Sequence, residues 1–369
     1  MTCDTALKRW ESAKYDPNFK SDYAGTWVTL PDPLYCVDWL TLAEFILGSS
    51  LRKLARENGR LQTLLWWLDF AFIWLLIKLF ALLPVDTASR FGARIGRWIG
   101  PRLKRKSLIF KENMRIAFPA LNTSEIDELV TTAWGQAGRV LAEYPHLSAI
   151  STDPERLIID ILHSVETYSN PARPSVFITS HQSNWELCAS SLGKLGIPSA
   201  VLYSPPTNPY LDKLLKDSRL ALNCELLPRD KSARLMMRAL KQGRSIGFVA
   251  DRRIDEGEPV RFFGRNKAST TMPAWLALKF NCDLVPLHVE RLEDARYKVT
   301  MHPPVIPSDT SADIKLQAID MTQQIHQYFE EWATKTPQDW FCSKRLWPKN
   351  DPTTPVQGPS DSEVESHAA

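Results

Sequence analysis

The sequence lacks the short signatures of the commoner chemistries. It has no G-x-S-x-G elbow joining a strand to a helix, no phosphate-cradling P-loop, no G-x-G-x-x-G after a strand-like run and no H-E-x-x-H. Each of these supplies the geometry its chemistry needs, so their absence disfavours a serine hydrolase, a nucleotide-binding enzyme, a dehydrogenase and a zinc protease. The six cysteines (Cys3, Cys36, Cys188, Cys224, Cys282, Cys342) form no C-x-x-C pair and have no histidine at ligand spacing. Neither a zinc site nor a disulfide framework is expected, and a reducing compartment is the simpler assumption. Cys188 is expected to be a small buried thiol rather than a nucleophile. Net charge is nearly absent too, at +3 from 45 Lys+Arg and 42 Asp+Glu. Positive charge is therefore informative only where it clusters. No nucleic-acid recognition motif accompanies the clusters, and no nucleic-acid partner is expected. What remains is acid/base chemistry without metal or cofactor.

The stretch that carries such chemistry is His181-Gln182-Ser183-Asn184-Trp185-Glu186. It comes after the apolar run from Ser175 to Ser180 and opens a helix-patterned segment ending near Gly193. A histidine at a strand tip is held at the sheet rim, and a glutamate in the first turn of the next helix can fold back onto its ring. The carboxylate would then fix the tautomer, and the other ring nitrogen would take a proton from an alcohol. A competing reading makes Ser183 and Glu186 a capping box, which would use the glutamate on the Ser183 amide.

With 369 residues, 44% of them hydrophobic, the chain suits one large α/β domain plus additions. Residues 1–60 contain Pro17, Pro31 and Pro33 and predict an irregular extension with a short helix from Trp39 to Leu47. From Leu64 to Leu83 the sequence is apolar apart from Asp69 and Lys78, close to the ~20 residues of a spanning helix. The run starts too far from Met1 for a cleaved signal peptide. Basic residues flank it on both sides, most densely from Arg90 to Lys106. A helix over 61–86 lying in or dipping into an anionic leaflet fits this pattern, with the denser cluster on the cytoplasmic side.

Residues 87–348 form the expected main domain. A helical region from Ser107 to Ala149, broken at Phe118-Pro119, gives way to alternating strands and helices. The strands are expected at Val176–Thr179, Ser199–Tyr203, Glu225–Leu227, Ile246–Ala250, Leu284–Val289 and Tyr297–Met301. This alternation predicts an α/β fold with a mostly parallel sheet flanked by helices and its site at the carboxyl ends of the strands. His181 and Asp251 each come directly after a strand, so they should share a rim. Arg219 and Arg229 could each aim a guanidinium at a phosphate, a carboxylate or an oxyanion. His146, His163, His288, His302 and His326 have no supporting pattern. A long helix from Ser311 to Thr334 closes the domain, and the Pro-, Ser-, Asp- and Thr-rich stretch 349–369 predicts a disordered tail.

Several blocks together resemble a known family. They are Asn113 to Pro119 (NMRIAFP), Gly138 to Tyr144 (GRVLAEY), His181 to Glu186, Asn208-Pro209 with Arg219, and Leu227-Pro228-Arg229-Asp230. Ala250-Asp251, Phe262-Phe263-Gly264, and Gln338 with Arg345 to Trp347 complete the set. They resemble the late (lauroyl/myristoyl-type) acyltransferases of lipid A synthesis, within the lysophospholipid-acyltransferase-like superfamily. The resemblance implies a glycerolipid-acyltransferase-like fold and transfer of an acyl chain from acyl carrier protein to a hydroxyl of a lipid A precursor. It implies a membrane-associated enzyme on the cytoplasmic face of the bacterial inner membrane. By position, His181 matches the general base and Glu186 its partner. Arg219, Arg229, Asp251 and Asn184 match further polar positions for substrate or oxyanion. The chain departs from the family where Ser183 replaces a common Gly and Arg252 a common Gln. The C-terminal Trp-x-His-Arg-Arg pattern reads Phe341-Cys342-Ser343-Lys344-Arg345 here. Two alternatives remain: an acyltransferase for a lysophospholipid, ornithine lipid or glycolipid, and a catalytically idle membrane-associated binding protein.

Overall fold

The computed structural model describes residues 51–348 except 164–167, 169, 171 and 229–231. The expected helix at 39–47, Arg229 and the tail 349–369 lie outside the described residues. Helix α1 (Arg52–Glu57) precedes α2 (Gly59–Ala81), so the end of the stretch expected to be irregular is helical. The Asn58 side chain caps α2 by accepting from the Arg60 and Leu61 amides, which serves helix-start N–H groups that have no intrahelical partner.

Helix α2 is long and apolar enough to cross a membrane. Its period sorts its side chains: Leu65, Asp69, Ile73 and Phe80 face the protein, whereas Leu64, Trp67, Phe72, Trp74, Leu75 and Leu79 are exposed. Asp69 falls four residues from both Leu65 and Ile73, so the helical repeat turns its carboxylate inward. The helix is docked along its length. Asn208 Nδ2 donates to the Trp66 carbonyl at 2.8 Å, and His146 Nε2 stands 3.0 Å from the Phe80 carbonyl.

Three further helices come next, α3 (Val85–Ile99), α4 (Lys104–Ala117) and α5 (Thr123–Glu143). The cap of α5 is Asn122. Asn122 Oδ1 accepts from the Glu125 amide at 3.0 Å, and the Glu125 carboxylate accepts from the Asn122 amide at 2.7 Å. Helices α3 and α5 pack backbone to backbone, since a Cβ at Gly92 or Gly138 would overlap the other's carbonyl oxygen. That close approach brings Ser89 of α3 against Glu143 at the end of α5.

After the short α6 (Leu147–Thr152) the main sheet begins with β1 (Leu157–Ile161) and continues with β2 (Val176–Thr179), β3 (Ser199–Tyr203), β4 (Glu225–Pro228) and β5 (Ser245–Val249). A separate antiparallel hairpin, β6 (Glu258–Phe262) and β7 (Arg265–Ser269), precedes β8 (Leu284–Arg291) and β9 (Tyr297–Met301). The helices α7 (Glu186–Lys194), α8 (Pro209–Arg219), α9 (Ser232–Lys241), α10 (Met272–Phe280) and α11 (Ile314–Lys335) connect and cover the strands. The fold is α/β with a mostly parallel sheet flanked by helices. Its order is β1-β9-β8-β2-β5-β3-β4, and only β8 and β9 pair antiparallel.

Strand β1 and the hairpin were not among the expected strands. The hairpin's inward positions include Lys267 beside Val260 and Phe262, which hides the usual apolar alternation. Its turn places Phe263 and Gly264 at φ 49° and 73°, the left-handed pair that joins strands tightly but is signalled in sequence mainly by Asn-Gly or Asp-Gly.

The central pair decides where chemistry can occur. From β2 the chain crosses through α7 to β3, on the far side of β5; from β5 it leaves through the hairpin and α10 to β8, on the other side of β2. The carboxyl ends of β2 and β5 therefore flank a topological switch point, where loops diverge and leave a crevice. Thr179 is in register with Val249. Two residues further on each strand stand His181 and Asp251.

Candidate active site

This register makes Asp251 the ring partner of His181. Nδ1 of His181 lies 2.5 Å from Asp251 Oδ1, and the His181 backbone amide donates to Oδ2 at 3.1 Å. Trp340 Nε1 donates to the same Oδ2 at 3.0 Å, and Lys267 Nζ donates to the Asp251 backbone carbonyl at 2.6 Å. Burial opposes charge on Asp251, yet the His181 ring, Lys267 and Arg252 outweigh it and hold the carboxyl well below the usual carboxylate range. The imidazole is fully buried. Burial, helped by the Arg252 guanidinium, lowers its pKa below the ordinary histidine value, against the pull of Asp251. At neutral pH the ring is accordingly neutral, with Nδ1–H donating to the carboxylate and Nε2 presenting its lone pair. Nε2 has no hydrogen-bond partner among the described residues.

Glu186 does not fold back onto the ring. Its carboxylate accepts from Tyr144 OH at 2.7 Å and from Arg219 through Nη2 at 2.6 Å and Nε at 3.1 Å. The capping box is absent as well. Helix α7 starts at Glu186 with Trp185 at its cap and no side-chain cap bond. Ser183 sits at φ 50°, a conformation that carries strain for a side chain and none for glycine. Its amide donates to the Asp339 carbonyl at 2.8 Å.

The other expected residues also have structural partners. Arg219, the buried last residue of α8, forms the two bonds to Glu186. Asn184 Nδ2 donates to Glu143 Oε2 at 3.0 Å. Glu143 gathers Ser89 Oγ and Arg291 Nη1, each at 2.6 Å, and also the Tyr297 hydroxyl. Burial works against this carboxylate, but Arg291 and the hydroxyls hold it ionised. This buried network fixes the loop 181–185 from below. From the side, Phe341 N donates to the His181 carbonyl at 2.8 Å, and Gln182 Nε2 donates to the Trp332 carbonyl and to Thr336 Oγ1 at 2.8 Å each.

Glu143, Lys267, Arg291 and Trp340 carry no individual signal in the sequence. Glu143 and Tyr144 lie in the GRVLAEY block, the one clue available for them. Nothing local marks Lys267. It is fully buried, 4.4 Å above the Phe262 ring, and burial drives its pKa down to about 7 against the pull of Asp251 and Glu330.

Two sulfur or hydroxyl nucleophiles can be set aside. Burial pushes the Cys188 thiol up to about 12. The string Gly243-Arg244-Ser245-Ile246-Gly247 spells G-x-S-x-G, but Ser245 opens β5 and its hydroxyl accepts from the Ser175 amide at 3.0 Å. A nucleophile elbow needs the serine at the end of a strand. Beneath the loop, a narrow apolar cavity of about 40 Å³ runs between α7 and the sheet past Trp185, Cys188, Ala189 and Phe248. It has room for about three water-sized groups, far less than a fatty chain.

A family described as bacterial lipid A biosynthesis acyltransferase matches residues 54–349. The chain belongs to that family. It is therefore an acyltransferase, and its match begins within α1 and spans α2 and the whole sheet domain. Among its relatives is the lipid A biosynthesis lauroyltransferase of Escherichia coli K12, 26% identical over 250 residues, covering 64% of this chain and 78% of that protein. A lipid A biosynthesis acyltransferase of Haemophilus influenzae is 21% identical, with 76% and 86% covered. The lipid A biosynthesis palmitoleoyltransferase of Escherichia coli K12 is 24% identical, with 54% and 64% covered.

Proposed function

We propose that this acyltransferase moves a fatty acyl group from a thioester, carried by acyl carrier protein, to a hydroxyl of a lipid A precursor, with His181 as general base. The observation that carries this reading is the His181 ring itself: Nδ1 tied to Asp251 and a buried Nε2 without a partner among the described residues. Such a ring can accept the hydroxyl proton while Asp251 stabilises the imidazolium that forms. The alcohol oxygen bonds to the thioester carbonyl carbon, and the tetrahedral intermediate then expels the thiolate. The proton returns from His181 to the departing sulfur.

The oxyanion of that intermediate needs donors. The Asn184 and Glu186 amides, at the start of α7, donate to no acceptor among the described residues, and helix-start amides suit a developing negative charge. Glu186, Tyr144 and Arg219 then act behind the reacting atoms, holding α7 in place. Helix α2, docked on one side and bare and apolar on the other, suits a helix lying in the cytoplasmic leaflet of the inner membrane. This brings the site to its lipid acceptor.

The test is acyl transfer from an acyl-carrier-protein thioester to a lipid A precursor, with mass spectrometry of the product. His181→Ala should abolish transfer while leaving folding and membrane attachment intact. Transfer at wild-type rate by the variant, or transfer only to a lysophospholipid or aminolipid by the parent protein, would overturn the reading.

A further inference from the structure

The nearly balanced charge of the chain conceals one strongly one-sided place. Beside the His181 loop lies a groove of about 780 Å³, between the start of α4, the segment after Asp251 and residues 343–345. Seven of its eleven lining residues are Lys or Arg: residues 104–106, Arg252, Arg253, Lys344 and Arg345. Only Asp255 is acidic. Asp255 is paired with Arg253 at 2.7 Å. Lys106 is half-buried without an acidic partner among the described residues, and burial alone takes its pKa down to about 8. Burial takes Lys344 to about 8 as well. A half-buried ammonium such as that of Lys106, crowded among like charges, is costly unless an anion joins it. Arg252, only 7% exposed, lines the groove next to Asp251 in sequence, and its charge acts on the His181 ring.

We propose that this groove is a subsite for a phosphate monoester on the head group of the acceptor lipid, held there while a hydroxyl of the same molecule reaches His181. The proposal rests on the acyl-transfer reading above for its acceptor. The shape favours a phosphate over the acidic surface of a carrier protein. A folded protein's carboxylates meet exposed cations across a broad patch of about 800 Å² per partner, whereas Lys106, Lys344 and Arg252 are sunk in a concavity of small-ligand size. A compact dianion on a flexible head group can enter it and take bidentate bonds from arginine.

The experiment compares the full-length protein with Lys106→Gln and the Lys106→Gln/Arg253→Gln double variant. The acceptors are a phosphorylated glycolipid and the same lipid after phosphatase treatment. The variants should raise KM for the phosphorylated acceptor at least tenfold, leave KM for the acyl thioester unchanged, and match wild type on the dephosphorylated lipid. A raised donor KM would assign the groove to the carrier protein and overturn the proposal. So would an equal effect on both acceptors. Binding to detergent micelles carrying either lipid, read without turnover, decides the groove even if the acyl-transfer reading fails. Wild type should prefer the phosphorylated micelles and Lys106→Gln should lose that preference, whereas equal binding to both micelles sinks the proposal. Inorganic phosphate should compete only weakly, at millimolar concentration; saturation at micromolar concentration would assign the groove to the free ion instead. Melting curves of the variants exclude misfolding.

Discussion

His181 Nδ1 and Asp251 Oδ1 stand 2.5 Å apart although 70 residues separate them in the chain. The pair exists because β2 and β5 are parallel neighbours whose register continues for two residues beyond Thr179 and Val249. Glu186, five residues from His181 in sequence, instead closes a buried triangle with Tyr144 and Arg219. The two carboxylates should therefore fail differently on substitution.

Asp251→Asn removes the group that holds the Nδ1–H tautomer, so kcat should fall by about 10³-fold or more while the fold survives. Glu186→Gln leaves the Arg219 guanidinium buried without its anion and should cost about 3–5 kcal/mol of stability. Steady-state kinetics and thermal melts on both variants separate these effects. A stable but inactive Glu186→Gln beside an active Asp251→Asn would reverse the roles.

The acid limb of kcat/KM should lie below the ordinary histidine pKa of 6.5, because burial and the Arg252 charge both disfavour the imidazolium. The base must be neutral to work, so activity should persist as pH falls past 6.5. Arg252→Gln removes one of the two depressing causes and should move the limb to higher pH. A limb that stays put, or moves down, would show that Arg252 exerts no field on the ring.

Ser183 at φ 50° pays for a conformation that glycine adopts freely, and its buried hydroxyl oxygen has no partner among the described residues. Ser183→Gly should raise stability by about 1 kcal/mol and leave kcat within a factor of about two. Calorimetric melting checks the first expectation and turnover the second.

Lys267 binds fewer protons in the folded protein than in the unfolded chain between about pH 7 and its ordinary value of 10.5. Its destabilising effect is therefore full below pH 7 and fades as pH rises toward 10.5. Lys267→Met should raise the melting temperature at pH 6, with the gain shrinking by pH 10. It should lower kcat as well, since the Asp251 carbonyl loses its anchor. A variant less stable at pH 6 than at pH 10, relative to wild type, contradicts this.

The β-α-β alternation from Val176 onward, the apolar helix near Leu64 to Leu83 and the placing of His181 and Asp251 on one rim were all legible in the sequence. Those features depend on local periodicity and on which residues come directly after a strand, and near neighbours in the chain decide both. Which carboxylate reaches the imidazole was not legible. The spacing from His181 to Glu186 is local and suggested one answer. Strand order put Asp251 opposite the ring, and long-range partners captured Glu186. Lys267 was equally hidden, because a lysine's burial depends on the packing of a hairpin against a distant helix. The inward turn of Asp69 required the dock for α2 to exist. The sequence by itself thus determined the elements and the chemical groups at the rim. Tertiary structure decided the pairings among them, because hydrogen bonds between buried charges form across strands and helices that only the completed fold brings together.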